Sequence, residues 1–71
     1  MRYTVILERG DHGWGAHVPD LPGCVAAGAS RDEALGLIRD AIALHIEGLR
    51  EQGLSVPEPR SEGDVIEIGA A

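Results

Sequence analysis

Residues 19–24 read Pro-Asp-Leu-Pro-Gly-Cys and place two prolines and a glycine within one short stretch. Pro19 and Pro22 each fix their own φ, disfavour helix at the residue before them and have no backbone N–H to give to a strand. Gly23 can adopt the positive φ that a tight reversal needs. We therefore predict that Pro19, Pro22 and Gly23 are structural residues of one corner, at which one strand ends and the next begins.

Alternating residues on both sides of this corner predict a small sheet. In residues 2–9 the side chains of Tyr3, Val5 and Leu7 share one apolar face, and a glycine-containing turn then leads into a second strand over 14–18. Residues 24–27 are short and small enough for a third strand, which Gly28 closes. The simplest connection of the three is an antiparallel meander.

A helix is predicted after the third strand. Ser30 and Glu33 have the spacing of a capping box, in which the Ser30 hydroxyl accepts from the Glu33 amide and the Glu33 carboxylate reaches back to the Ser30 amide. Apolar residues then recur at helical spacing as far as Leu49, and Gly53 stands where a left-handed cap would fall. We expect the helix to span 31–52 and to pack on the sheet.

The remainder of the chain predicts an extended connector and a last strand. Pro57-Glu58-Pro59 is rigid and cannot be helical, and residues 65–68 alternate once more. The predicted fold is α+β with the order β-β-β-α-β, a three-stranded meander plus a C-terminal strand with one helix on the sheet. We expect one domain with a core over 1–68 and a tail over 69–71.

The size of the chain favours self-association. A domain of 71 residues is marginally stable without disulfides or metal, and Cys24 is the only cysteine. Leu37, Ala41, Leu44 and Gly48 widen the apolar arc of the helix to roughly 200°, beyond the usual stripe of a surface helix. We expect these four residues to form the interface of a homo-oligomer, a dimer or a tetramer. The alternative is a sheet that curls around the helix.

Charge and composition exclude several classes of partner. The formal net charge of −6 repels phosphate backbones, and only Tyr3 and Trp14 are aromatic, so we expect no direct binding of nucleic acid. No stretch approaches the roughly 18 apolar residues of a membrane helix, and the N-terminus does not resemble a signal peptide. We expect a soluble, cytoplasmic protein with a basic partner.

Few residues suggest catalysis. Glu8, Asp11 and His12 lie in and near the first turn, but their spacing matches no metal motif, and acidic residues and glycine are what such a turn requires. We predict no catalytic residue, metal or cofactor.

Four further polar or reactive residues have structural explanations. His17 and His45 have no carboxylate neighbour in sequence and are expected to be half-buried packing residues. Cys24 lacks a base and is expected to be a small buried hydrophobe. The simplest role of Asp20 is to bond the backbone amides of its own corner.

With these elements in place, the sequence closely resembles the HicB-like antitoxin family. The resemblance rests on residues 14–24, Trp-Gly-Ala-His-Val-Pro-Asp-Leu-Pro-Gly-Cys, on Gly28, on the helix start at 30–35 and on the Pro-Glu-Pro exit at 57–59. Residues 18–24 are the most specific part. The resemblance implies a partial ribonuclease-H-like fold whose members neutralise a small basic RNA-cleaving toxin, HicA, by covering its catalytic surface. Many members also carry a C-terminal DNA-binding segment. Because this chain stops at Ala71, we expect it not to regulate its own promoter.

The expected function is that of a stand-alone inhibitor in which an acidic surface competes with RNA for the toxin. We expect Asp40, Glu47 and Glu51 on the outer helix face, and Asp20 and Leu21 on the exposed part of the corner, to bind the partner. The alternative is an orphan homo-oligomeric interaction domain with no toxin and no catalytic activity. A metal-dependent nuclease would need more converging carboxylates than the strands supply.

Overall fold

The protein has two layers, a three-stranded sheet and one helix. A computed structural model describes residues 1–69 and contains β1 (Ile6–Arg9), β2 (Trp14–His17), β3 (Val25–Gly28) and α1 (Arg31–Glu51). The strands pair antiparallel in the order β1-β2-β3, and α1 packs against one face of the sheet. The predicted α+β meander with one helix is confirmed.

The corner between β2 and β3 is closed by backbone hydrogen bonds. Gly23 has a φ of 84°, and the Val18 amide donates to the Cys24 carbonyl at 3.2 Å. The Cys24 amide in turn donates to the Leu21 carbonyl at 3.0 Å. Because both backbone groups of Cys24 serve the corner, β3 begins at Val25 and not at residue 24 as predicted.

The two prolines of the corner occupy equivalent places in two successive turns. Pro19 follows Val18, whose carbonyl accepts from the Leu21 amide at 3.1 Å. Pro22 follows Leu21 and precedes Gly23 with its positive φ, which is the arrangement of a type II turn. Both prolines are exposed, so they direct the backbone without entering the core. The corner predicted around Pro19 and Pro22 thus consists of two turns that share Leu21, because each proline fixes the φ of its own turn.

The first strand begins at Ile6, four residues later than predicted. Its partner β2 ends at His17, where the corner begins, so Tyr3 and Thr4 face no strand on that side within residues 1–69. Their hydroxyl groups bind the C-terminal part of the chain instead. Tyr3 donates to the Pro57 carbonyl, and Thr4 donates to the Ser61 carbonyl at 2.6 Å.

The start of α1 is capped largely as expected. The Ser30 hydroxyl accepts from the Glu33 amide at 3.1 Å. The Glu33 carboxylate, however, accepts from the Ala29 amide at 3.1 Å and not from Ser30. The bond to Ser30 satisfies a backbone donor that the first turn of a helix leaves free, and the bond to Glu33 satisfies the amide of the residue before the N-cap.

The end of α1 falls one residue before the predicted one, with Gln52 as the C-cap. Gly53 has a φ of 70° and donates to the Arg50 carbonyl at 3.1 Å, while Leu54 donates to the Leu49 carbonyl at 2.9 Å. This pair of bonds is a Schellman motif, which requires the left-handed conformation that glycine adopts readily. The predicted glycine cap is therefore confirmed.

The core lies between the sheet and the helix. Its apolar face includes the predicted row of Tyr3, Val5 and Leu7, all half-buried. The fully enclosed residues come from β2, the corner and the buried side of α1, and they are Ala16, Val18, Leu21, Cys24, Ala34 and Ile38.

The predicted C-terminal strand is not formed within residues 1–69. Residues 64–68, Asp-Val-Ile-Glu-Ile, which we call the C-terminal arm, have no strand beside them there, and Val65, Ile66 and Ile68 are 92%, 78% and 81% exposed. An extended segment becomes a strand only when another strand supplies its hydrogen bonds. Of the predicted tail over 69–71, residues 70 and 71 lie outside the described part of the chain.

Candidate partner-binding surface

The side of α1 that faces away from the sheet carries the acidic residues predicted to bind a partner. Asp40, Glu47 and Glu51 are all exposed. At 100° per residue their side chains fall within about 40° of one another, and the row they form is about 16 Å long. The buried Ile38 lies on the opposite side of the same helix.

Two leucines lie on the same side of α1 as these carboxylates. Leu37 is 44% exposed and Leu44 is 69% exposed. Together with the three acidic residues they follow spacings of three and four residues, which place all five along one side of a helix. We call the surface formed by Leu37, Asp40, Leu44, Glu47 and Glu51 the outer stripe.

The outer stripe overlaps the predicted interface between copies of the chain. Ala41 and Gly48, the other two residues of that predicted interface, are half-buried and lie between the stripe and the core. Leu37 and Leu44 therefore belong to both surfaces. A partner that covers the whole stripe competes with self-association through the same leucines.

The two corner residues predicted to bind a partner have structural roles. Leu21 is fully buried in the core, so its side chain is not available to a partner, and we remove it from the candidate surface. Asp20 reaches across to the C-terminal part of the chain. One carboxylate oxygen accepts from the Arg60 and Ser61 amides, each at 2.8 Å, and the other accepts from the Ser61 hydroxyl at 2.8 Å. The amides that it binds are thus not those of its own corner.

The exposed prolines of the corner face the C-terminal part of the chain as well. Pro19 and Pro22 line a groove beside Asp20, and Pro57 and Arg60 of the connector line its other side. The groove therefore lies between two parts of one chain. Pro19 and Pro22 keep the structural role predicted for them, and the candidate surface for a partner is the helix and not the corner.

The hydrogen bonds from Arg60 and Ser61 stabilise the charged form of Asp20. The backbone amide of Ser61 contributes most, followed by the Arg60 amide and the Ser61 hydroxyl, and together they hold the pKa of Asp20 below its usual value of 3.8. Asp20 is therefore an anionic anchor for the segment that follows the Pro-Glu-Pro connector.

The structure places His17 and His45 in half-buried positions and buries Cys24. His17 is half-buried on the outer face of the sheet, and its Nδ1 lies 3.9 Å from a Glu8 carboxylate oxygen across the strands, a contact that the sequence did not indicate. His45 is half-buried on α1, as predicted. Cys24 is buried, as predicted, and burial raises the pKa of its thiol.

The described residues contain neither a cluster of metal-binding side chains nor a helix that could span a membrane. Within residues 1–69, no group of three or more histidine, cysteine, aspartate or glutamate side chains is placed to hold a metal ion, and the turn with Glu8, Asp11 and His12 forms no such group. No helix in this part of the chain has the length and apolar character needed to cross a membrane.

Comparisons with known proteins agree with these observations. The model of the family described as "HicB_like antitoxin of bacterial toxin-antitoxin system" matches residues 3–68. An antitoxin HicB 2 from Photorhabdus laumondii is 32% identical over all of this chain and 52% of its own length. A 14.9 kDa protein of Haemophilus phage HP1 is 38% identical over 82% of this chain and 44% of its own length. The chain thus spans about half the length of these two relatives.

A shorter relative and a solved structure extend the comparison. A UPF0150 protein from Thermoplasma acidophilum is 38% identical over 87% of this chain and 91% of its own length. A chain of the solved structure titled "HicA3 and HicB3 toxin-antitoxin complex" superimposes with a TM-score of 0.72 at 28% identity. The match covers 84% of this chain and 70% of that one.

Proposed function

Because the chain belongs to the HicB-like antitoxin family, we propose that it binds a small, basic, HicA-like RNA-cleaving toxin through the outer stripe and occludes the toxin's RNA-binding surface. Membership of an antitoxin family implies a non-catalytic inhibitor. The structural match to a chain of a toxin-antitoxin complex is the observation that carries the proposal.

The charge of the outer stripe fits a basic partner. Among residues 1–69, none of Asp40, Glu47 and Glu51 lies in a salt bridge, so their charges are not neutralised within the described chain. The protein as a whole has a formal net charge of −6. Such a field accelerates encounter with a cationic surface and places carboxylates where RNA phosphates would otherwise bind.

The leucines of the outer stripe supply the apolar part of the proposed contact. Leu44, at 69% exposure, stands between Asp40 and Glu47 along the helix. Apolar side chains in the centre of an interface with charges around them are the usual arrangement in protein complexes. We propose that Leu44 is the central apolar contact and that the acidic residues select the partner and its orientation.

The helix that carries the stripe is held firmly at both ends. Ser30 caps its start, the Schellman motif around Gly53 closes its end, and Ile38 anchors its middle in the core. A preformed surface loses less conformational entropy on binding than a flexible one does. The outer stripe is therefore suited to rigid docking.

Charge reversal tests this surface. We expect Asp40→Lys with Glu47→Lys to raise the dissociation constant for a purified HicA-like toxin by about 30-fold or more, because two favourable charge contacts become repulsive. Isothermal titration calorimetry of the two proteins gives the measurement.

A matched control separates the position of the charges from the net charge. Glu58→Lys with Glu62→Lys changes the net charge equally at two exposed residues outside the stripe. We expect this control to change the dissociation constant by less than about threefold at physiological salt, where distant exposed charges are screened. Equal weakening by both variants would contradict the assignment of the stripe.

One observation favours a second candidate function, that of a homo-oligomeric interaction domain with no toxin. The exposed Leu37 and Leu44, continuous with Ala41 and Gly48, are the surface proposed from sequence for a dimer or tetramer. A stable oligomer of the wild-type chain that binds no HicA-like toxin would support this function in place of the first.

A further inference from the structure

The C-terminal arm carries the three most exposed large hydrophobic side chains within residues 1–69. Val65, Ile66 and Ile68 are 92%, 78% and 81% exposed, although β-branched residues of this kind are typical of strands. Within residues 1–69, the one hydrogen bond that the arm makes is local, from the Val65 amide to the Asp64 carboxylate at 2.8 Å. The arm is therefore extended and apolar, with no strand of the described chain paired to it.

The sheet offers an unpaired edge of matching length. In the order β1-β2-β3, strand β1 pairs only with β2 among residues 1–69, so its other edge presents backbone groups with no strand partner. A cleft at this strand is lined by residues 4–7, by Trp14 and Arg31, and by residues 63–65. Free strand edges of this kind readily accept another strand.

The charges beside the arm and the edge are complementary. The arm contains Asp64 and Glu67, with no basic residue. Arg31 lines the cleft along β1, and Arg9 ends that strand. Attraction between these groups favours placing the arm along β1.

The elongated shape of the molecule favours pairing of the arm with the β1 edge of another copy, and not with the β1 edge of the same copy. The chain is tied to Asp20 and Thr4 at Ser61, and residues 63–65 line the cleft of their own copy. Ile66 and Ile68 are not among the residues that line this cleft, and both are exposed to solvent. The radius of gyration is 14.1 Å and the long dimension is 52 Å. A compact domain of this length would have a radius of gyration of about 11 Å.

We propose that two copies of this chain exchange their C-terminal arms, each arm adding a fourth strand to the β1 edge of the other copy. Because every copy carries both the arm and the edge, the exchange is reciprocal and closes as a two-fold dimer. The β1 edge of each copy is then paired, and Ile66 and Ile68, which lie on the same face of the added strand, are covered together. The fourth strand predicted from sequence is formed in this dimer, between chains.

This interface is separate from the outer stripe and does not depend on toxin binding. The stripe lies on the side of α1 that faces away from the sheet, whereas the arm docks on an edge of the sheet. The two interfaces can therefore be disrupted independently.

Two single lysine substitutions, one in the arm and one outside it, test the exchange through the mass of the assembly in solution. We expect the wild-type chain to be a dimer in analytical ultracentrifugation and Ile66→Lys to raise its dissociation constant at least about tenfold, because a buried aliphatic side chain becomes a charge. Leu54→Lys is the control, since Leu54 is also an exposed aliphatic residue, at 53%, but lies outside the arm. Circular dichroism of each variant checks that the helix is retained.

Mixed isotope labelling tests which chain the arm contacts. In a sample prepared from labelled and unlabelled copies, we expect isotope-filtered NMR to show contacts between residues 65–68 of one copy and residues 4–7 of the other. A monomeric wild-type chain, contacts only within one copy, or a dimer that Ile66→Lys leaves intact and Leu37→Glu with Leu44→Glu dissociates would each overturn the proposal.

Discussion

Asp20 ties the middle of the chain to its C-terminal part through one carboxylate. Its three hydrogen bonds hold Arg60 and Ser61 against the corner, and Thr4 binds Ser61 from the other side. The aspartate in the corner therefore does more than shape a turn. It determines where the segment before the C-terminal arm is placed.

The lowered pKa of Asp20 gives this anchor a defined pH dependence. A carboxyl whose pKa is lower in the folded than in the unfolded state adds stability that is fully present above the unfolded value, 3.8 for Asp20, and is lost as pH falls through the folded value. We expect the difference in melting temperature between the wild type and Asp20→Asn to be largest above about pH 5 and to shrink towards about pH 2. Asp40→Asn, at an exposed carboxylate outside the corner and the arm, is the control. A difference independent of pH would contradict the anchor.

Gly28 permits a close approach between β3 and α1. A Cβ atom at this position would lie 2.7 Å from the Ala34 backbone nitrogen and 3.1 Å from the Glu33 carbonyl carbon. Both neighbours belong to the backbone of the first helical turn, so neither can move without shifting the helix. The sequence alone indicated only that a glycine closes the strand, because such a distance depends on how two elements pack.

A pair of alanine substitutions tests this contact. We expect Gly28→Ala to lower the free energy of unfolding by about 1–3 kcal/mol, the usual cost of forcing extra volume into a packed site. Gly36→Ala, in the middle of α1 with open space around it, should instead raise that free energy by about 0.8–1.0 kcal/mol because alanine has the higher helix propensity. Urea denaturation of both variants gives the comparison. Equal effects of the same sign would show that β3 and α1 are not in close contact.

At the scale of elements, the sequence predicts the ends of the helix well, because residues close by in the chain determine them. The capping residue Ser30 and the glycine cap at Gly53 locate α1 to within one residue, because both act on backbone groups nearby in the chain. Strand ends are less predictable, since a strand ends where its partner does. The start of β1 at Ile6 follows from the end of β2 and could not be read from residues 2–9 themselves.

The C-terminal arm shows the same limit most clearly. Its alternation of apolar and acidic residues is a valid strand signal, but the signal does not identify a partner strand. The residues predicted for the candidate surface also fall into two groups, those whose exposure follows from local periodicity and those whose burial depends on tertiary packing. Helical periodicity placed Asp40 and Glu47 correctly on an exposed face, whereas the burial of Leu21 depends on how the corner folds over α1.

At the scale of the whole molecule, the fold separates the core from the two surfaces proposed to bind partners. The sheet and the inner side of α1 form the core, the outer stripe carries unneutralised carboxylates and leucines, and the arm leaves the body of the protein beside the β1 edge. The proposed toxin and the proposed second copy thus bind to different places. A single chain of 71 residues can on this account engage both at once.

The central claim is inhibition of a HicA-like toxin, and the most direct measurement is RNA cleavage by a purified toxin of this kind titrated with the wild-type chain. We predict that cleavage falls in proportion to added protein and stops at a fixed molar ratio, because tight occlusion removes one active surface for each stripe that binds. Titration at several salt concentrations should show weaker inhibition as salt rises, since screening reduces the attraction of the acidic stripe. Undiminished cleavage in the presence of a large excess of folded protein would contradict the account.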